Sequence, residues 1–189
     1  VPVVYNCGGY ENAGVVRALA SYVDIWLPDM KYADNDLAKA LSGVSDYFEV
    51  AAKAIEEMVC QVGEPVFDEV TGNMIKGVIV RHLVLPGHTK DSMEILKYLR
   101  ERYKNQIYVS IMNQFTPVIR QEIYVNLNRL VTKREYEKVL NYILESGFQN
   151  IYFQELKRNK RKKSIVFVLI SPKESIMHIC NTTSLFIAK

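Results

Sequence analysis

The 189-residue chain is 49% hydrophobic and 24% charged, ordinary proportions for a folded globular protein, and a net charge of +3 is too small to argue for a nucleic-acid partner. Its three cysteines, Cys7, Cys60 and Cys180, are odd in number and far apart, which excludes a disulfide framework and points to a reducing, cytoplasmic compartment. No apolar run reaches the roughly 18–20 residues that span a membrane, no secretory signal leads the chain, and the opening Val-Pro-Val-Val reads as a piece of something longer.

Val1–Asn6 is a β-branched run stopped by Gly8-Gly9, and a helix is expected over Glu11–Tyr22 with Val15, Leu19 and Tyr22 on one stripe. Val23–Lys31 follows as a strand that is apolar on both faces until it ends in Asp29 and Lys31. Alternation puts Ile25, Leu27, Asp29 and Lys31 on one face and Trp26, Pro28 and Met30 on the other. A short helix fits Asp34–Gly43. A stronger one starts at Asp46, where Asp46 and Glu49 have capping-box spacing, and buries Ala51, Ala54, Ile55, Met58 and Val62 before Gly63.

Pro65–Asp68 and Met74–Lys76 flank Thr71-Gly-Asn73 as a small hairpin inserted before the strand Val78–Leu85. A helix over Asp91–Tyr103 presents Ile95, Leu96, Leu99 and Tyr103, and Ile107–Met112 is the next strand. Asn113 to about Val131 reads as a long ordered loop over one end of the molecule. Thr132 and Glu135 form a capping box for a helix ending at Gly147, and Ile151–Phe153 is the last strand of the series. The strand–helix rhythm predicts an α/β fold, a partial open βα barrel with parallel strands, over residues 1–156. Lys157–Lys163 then packs six positive charges into seven residues, and 157–189 is expected to be a basic linker and atypical tail, with Ile165–Ile170 able to add an edge strand.

In such a fold the strand ends bring Asn6 and Cys7, Asp29 and Lys31, the Pro86-Gly87 turn, and Asn113 and Gln114 to one mouth. Arg81 lies among Ile79, Leu83 and Leu85 on one strand face. A buried guanidinium needs an acidic partner such as Asp29 or an anionic ligand. His82 faces the other way as a packed residue, Cys7 reads as a plain packed thiol, and His88 and His178 make no metal pattern.

Tyr5-Asn-Cys-Gly-Gly-Tyr10, Asp24–Lys31, Val80–Gly87 and Tyr108–Pro117, followed by Leu127–Tyr136, occur in an order that resembles radical S-adenosylmethionine proteins. The subgroup is the one related to the pyruvate formate-lyase activating enzyme, and the likeness covers the family's C-terminal two thirds. The resemblance implies a partial βα barrel holding a [4Fe–4S] cluster and S-adenosylmethionine, whose one-electron reduction gives a 5′-deoxyadenosyl radical. It also implies a glycyl-radical-type protein substrate and an electron donor as partners. By motif position Asp29 and Lys31 match the Asp-x-Lys that contacts the cofactor or a nearby cation. Arg81 matches a barrel arginine directed at the cofactor, and Gln114 falls at a histidine position near the adenosine half. Asn6 and Cys7 fall where the family often carries an acid and a threonine near the cation.

The cluster requires three closely spaced cysteines, and these 189 residues contain no Cys-x-x-x-Cys-x-x-Cys. The chain is therefore expected to be inactive alone and to hold neither cofactor firmly. Two other readings are an unrelated βα-barrel enzyme using Lys31 as an amine nucleophile beside Asp29, and a non-enzymatic binding module acting through Lys157–Lys163.

Overall fold

Short β-branched and aromatic runs alternating with amphipathic segments form eight strands and five helices in the described part of the chain. The computed structural model describes residues 1–154 in full and the backbone of 167–171 and 174–178. In chain order these are β1 (Val4–Cys7), α1 (Ala13–Ala18), β2 (Ile25–Pro28), α2 (Asn35–Ser42), α3 (Tyr47–Val62), β3 (Val66–Phe67), β4 (Met74–Leu83), α4 (Thr89–Tyr103), β5 (Tyr108–Met112), α5 (Lys133–Glu145), β6 (Ile151–Gln154), β7 (Phe167–Ser171) and β8 (Glu174–His178). The architecture is α/β.

Strands β1, β2, β4, β5 and β6 pair in parallel in that order. β7 and β8 continue the sheet in antiparallel fashion beyond β6. The described sheet, ordered β1-β2-β4-β5-β6-β7-β8 with β3 paired on β4, is open, as in a partial barrel. Every parallel neighbour expected from the alternation is present. The hairpin is present too, but β3 pairs on the front part of the long strand, so the insertion and the barrel strand are one element, β4.

All the connecting helices except α2 pack on one face. Val16 of α1, Ile55 and Met58 of α3, Ile95 and Leu99 of α4, and Val139 and Ile143 of α5 share one buried cluster with Trp26, Val78, Val80, Val109, Ile111 and Ile151 of the sheet. Removing this apolar surface from water drives the fold at roughly 25 cal/mol per Å². The register puts the alternate residues on the opposite, concave face: Leu27 beside Asn6, and Arg81 and Leu83 beside Ser110 and Met112. A second cluster, with Leu37 and Tyr47 among its members, sits against Leu85 and Leu127.

Local signals hold in most places. Asp34 accepts from the amides of Asp36 and Leu37 at the start of α2, and the Thr132–Glu135 capping box forms. The box expected at Asp46 does not. The Asp46 carboxylate accepts from the Tyr10 hydroxyl at 2.8 Å, and Glu49 takes the Asn35 amide, so tertiary partners outcompete the local ones. The first helix is also shorter than expected. Asn12 caps it and only Val16 is buried, while Val15 and Tyr22 of the expected stripe are exposed. Asn113–Val131 is loop apart from one 3₁₀ turn, Val125–Asn128. β7 lies where Ile165–Ile170 left room for an edge strand, and the cationic block 157–163 lies outside the described residues.

Candidate functional site

Where β2, β4 and β5 end, the concave face opens into a cleft of about 210 Å³ lined by Asp29, Lys31, Arg81 and Gln114, with Tyr32, Leu83, Leu85 and Met112 as apolar walls. Three adjacent parallel strands thus each deliver polar groups to one point, the arrangement that places ligand chemistry at the carboxyl edge of such sheets. A larger groove of about 360 Å³ on the helical side, lined by Phe48, Glu94, Lys97, Tyr98 and others, contains none of the residues singled out in the sequence.

Asp29 is the hinge of the cleft. Arg81 Nε donates to its Oδ1 at 2.8 Å, and Arg81 Nη2 lies 2.6 Å from the same oxygen. Lys31 Nζ stands 3.9 Å from Oδ2, at the outer limit of an ion pair, with its side chain 40% exposed. Two cations therefore face one carboxylate, and Lys31 is the one with charge to spare for a ligand. The backbone locks this geometry, because Asp29 N donates to Cys7 O at 3.0 Å and Met30 N to Arg81 O at 2.9 Å.

Beneath the pair, the fully buried His82 has its Nδ1 2.8 Å from Met30 O, and burial pushes its pKa down to about 4. It is neutral, with Nδ1 the donating nitrogen. Gln114 is held by a polar partner the sequence did not flag: the buried Gln154 donates from Nε2 to Gln114 Oε1 at 3.4 Å, and its own Oε1 accepts from Asn113 N at 2.8 Å.

Two expected members do not join the cleft. Cys7 points into the helix-packed core, where burial pushes its thiol up to about 11. Asn6 shares the concave face with Leu27 but is exposed on the outermost parallel strand and does not line the cleft.

The flanking loop is clamped. Glu135 accepts both Arg129 Nη atoms at 2.7 Å, the amide and hydroxyl of Thr132, and Gly87 N at 2.7 Å. The Arg129 guanidinium, first among these, holds the Glu135 carboxyl well below the usual carboxylate range.

Arg81→Met is expected to lower stability by about 1–3 kcal/mol, because the Asp29 side chain is only 19% exposed and loses both donors. Adding Asp29→Asn in that background should recover most of the loss. Urea titrations of the four proteins in the cycle measure it, and additive losses would contradict the pairing.

No family model and no solved structure match the chain. Among curated proteins it is similar to an uncharacterized protein of Methanocaldococcus jannaschii, at 28% identity over 153 residues, which are 80% of this chain and 40% of the relative. The chain thus spans less than half the length of that relative. No described helix is long and apolar enough to cross a membrane.

Proposed function

We propose that this chain forms the cofactor-facing wall of a radical S-adenosylmethionine protein of the activating-enzyme type. One observation carries the reading: the ends of three neighbouring parallel strands bring Asp29 with Lys31, Arg81 and Gln114 around a single cleft. Those groups suit S-adenosylmethionine. Lys31 can meet its carboxylate, Asp29 can accept from its ammonium or ribose hydroxyls, the amide of Gln114 can read the adenosine half, and Leu83, Leu85 and Met112 can cover the apolar surface between. When bound, the cofactor supplies one-electron chemistry at its sulfonium. Asp29 and Arg81 would hold the site in one arrangement while Lys31 neutralises the incoming anion.

The [4Fe–4S] cluster does not fit the described residues. No group of three His, Cys, Asp or Glu side chains there is placed to hold a metal ion, Cys7 is buried in the core, and Cys60 is exposed on α3. These residues supply the cofactor wall and not the redox centre. A glycyl-radical-type protein substrate, an electron donor and a reducing cytoplasm belong to the same reading. Because Asp29 is engaged by Arg81 at shorter distances than by Lys31, a Lys31 amine nucleophile served by Asp29 has less support.

Titrating S-adenosylmethionine into the ¹⁵N-labelled chain is expected to shift the amides of Asp29–Lys31, Arg81 and Gln114, with an affinity weaker than micromolar. Silence at those positions, or tight binding elsewhere, would reject the assignment. Anaerobic reconstitution with iron and sulfide should leave no four-iron cluster on the purified chain, and a stoichiometric cluster would contradict the fit given above.

A further inference from the structure

Asp29 and Lys31 present charge to the cleft on either side of the buried Met30, and the amides of these three residues are satisfied in two different ways. Asp29 N and Met30 N donate to backbone carbonyls of the neighbouring strands. At Lys31 the chain leaves the ladder, and its amide donates instead to a side chain, the Tyr47 hydroxyl, at 3.2 Å. Tyr47 comes from the first turn of α3 and is only 2% exposed. Its own proton faces Gly8 O at 2.9 Å and Asp29 O at 3.1 Å. The one hydroxyl therefore ties the exit of β1 to the exit of β2. Its ring is held in turn by stacking on Tyr10, centroids 6.0 Å apart, and by the edge contact with Tyr32 at 5.1 Å.

We propose that Tyr47 is a positioning residue: its hydroxyl fixes the direction in which Lys31 faces the anionic end of a ligand in the cleft. The proposal rests on the cleft being a ligand site, as argued above. Its physical basis is preorganisation. A segment past the end of a sheet ladder is free to turn, and each turn away moves the Lys31 ammonium off the carboxylate or phosphate it would meet. Removing the hydroxyl also leaves the Lys31 amide and the Gly8 carbonyl without their partner. Neither loss alters the packing of the ring.

The test uses the full chain and acetate, the simplest carboxylate probe, read through the Lys31 amide by NMR. Tyr47→Phe keeps the ring and deletes the hydroxyl. Its melting temperature is expected to fall by about 2–4 °C, while the Lys31 amide exchanges about tenfold faster and the Asp29 and Met30 amides keep their protection. The acetate midpoint should rise about fivefold. Tyr10→Phe, which strips a hydroxyl from the same aromatic stack without touching Lys31, should leave the midpoint unchanged. An unchanged midpoint in Tyr47→Phe overturns the proposal. So does a Tyr47→Phe protein that fails to fold, which would make the residue a core group, or a parent chain whose Lys31 ignores acetate. Substituting S-adenosylmethionine for acetate separates the two readings. A Tyr47 effect on acetate with no response to S-adenosylmethionine keeps the positioning role and removes the cofactor assignment.

Discussion

Gly9→Ala is expected to lower the free energy of unfolding by about 2–5 kcal/mol, seen as a fall in the urea midpoint without loss of cooperativity. Two effects add. Gly9 sits at φ +82°, a region that costs an L side chain roughly 1–2 kcal/mol. An added Cβ would also lie 1.8 Å from the Asp29 carbonyl oxygen, so backbone must move and no flexible side chain can yield. The displaced backbone is that of the Asp29–Lys31 segment. The variant is therefore expected to lose ligand response at Lys31 together with stability. A Gly9→Ala protein within about 0.5 kcal/mol of the parent would refute the close approach.

The second large effect is on acid stability. His82 is buried and neutral, with its pKa pushed from the ordinary value near 6.5 down to about 4. Between those values the unfolded chain takes up a proton that the folded chain refuses. The stabilisation is fully present above about pH 6.5 and is lost as pH falls toward 4, by roughly 3 kcal/mol. Asp91 runs the other way. Burial lifts its carboxyl to about 6 even though the amides of Ala33 and Asp34 donate to it at 2.9 and 2.7 Å. The folded chain keeps that proton up to about pH 6, so this component gains stability as pH falls from 6 to 4. The two offset each other across one window, and the parent profile should be shallow. His82→Gln keeps a donor for Met30 O and removes the histidine component, so its stability should rise on going from pH 6.5 to 4.5. Urea midpoints at the two pH values decide it. Parallel profiles in parent and variant would show that His82 does not titrate in this way.

The sequence carried the strand–helix order well because its signals are local and periodic. Ala51, Ala54, Ile55, Met58 and Val62 repeat at helical spacing, and all five are buried. Asp29, Lys31, Arg81 and Gln114 were legible for another reason. Asp29, Lys31 and Gln114 stand where an apolar strand turns polar, Arg81 is a cation within an apolar strand face that calls for an acidic partner or an anionic ligand, and parallel topology gathers these points at one edge. Residues whose role depends on distant partners were hidden. Tyr47 reads as one more core aromatic at the start of a helix, and nothing near it in sequence points to Gly8 or Lys31, 39 and 16 residues away. Gln154, an amide at the end of a short strand, declares itself only when β6 is paired with β5. Asp46 and Glu49 show the opposite error, a correct local pattern overridden by Tyr10 and Asn35. Cys7 was placed at the mouth because it stands at the end of β1, whereas alternation along that strand turns it toward the helices as a packed thiol.

The Glu135 clamp makes three boundaries of the molecule a single thermodynamic unit. The same carboxylate terminates the loop at Arg129, starts α5 at Thr132 and receives the Gly87 amide at the exit of β4. None of these junctions can open alone without leaving polar groups of the others unpaired. Loosening the first turn of α5 is therefore expected to be felt at Arg129 and Gly87 as well as at Thr132, through their shared carboxylate.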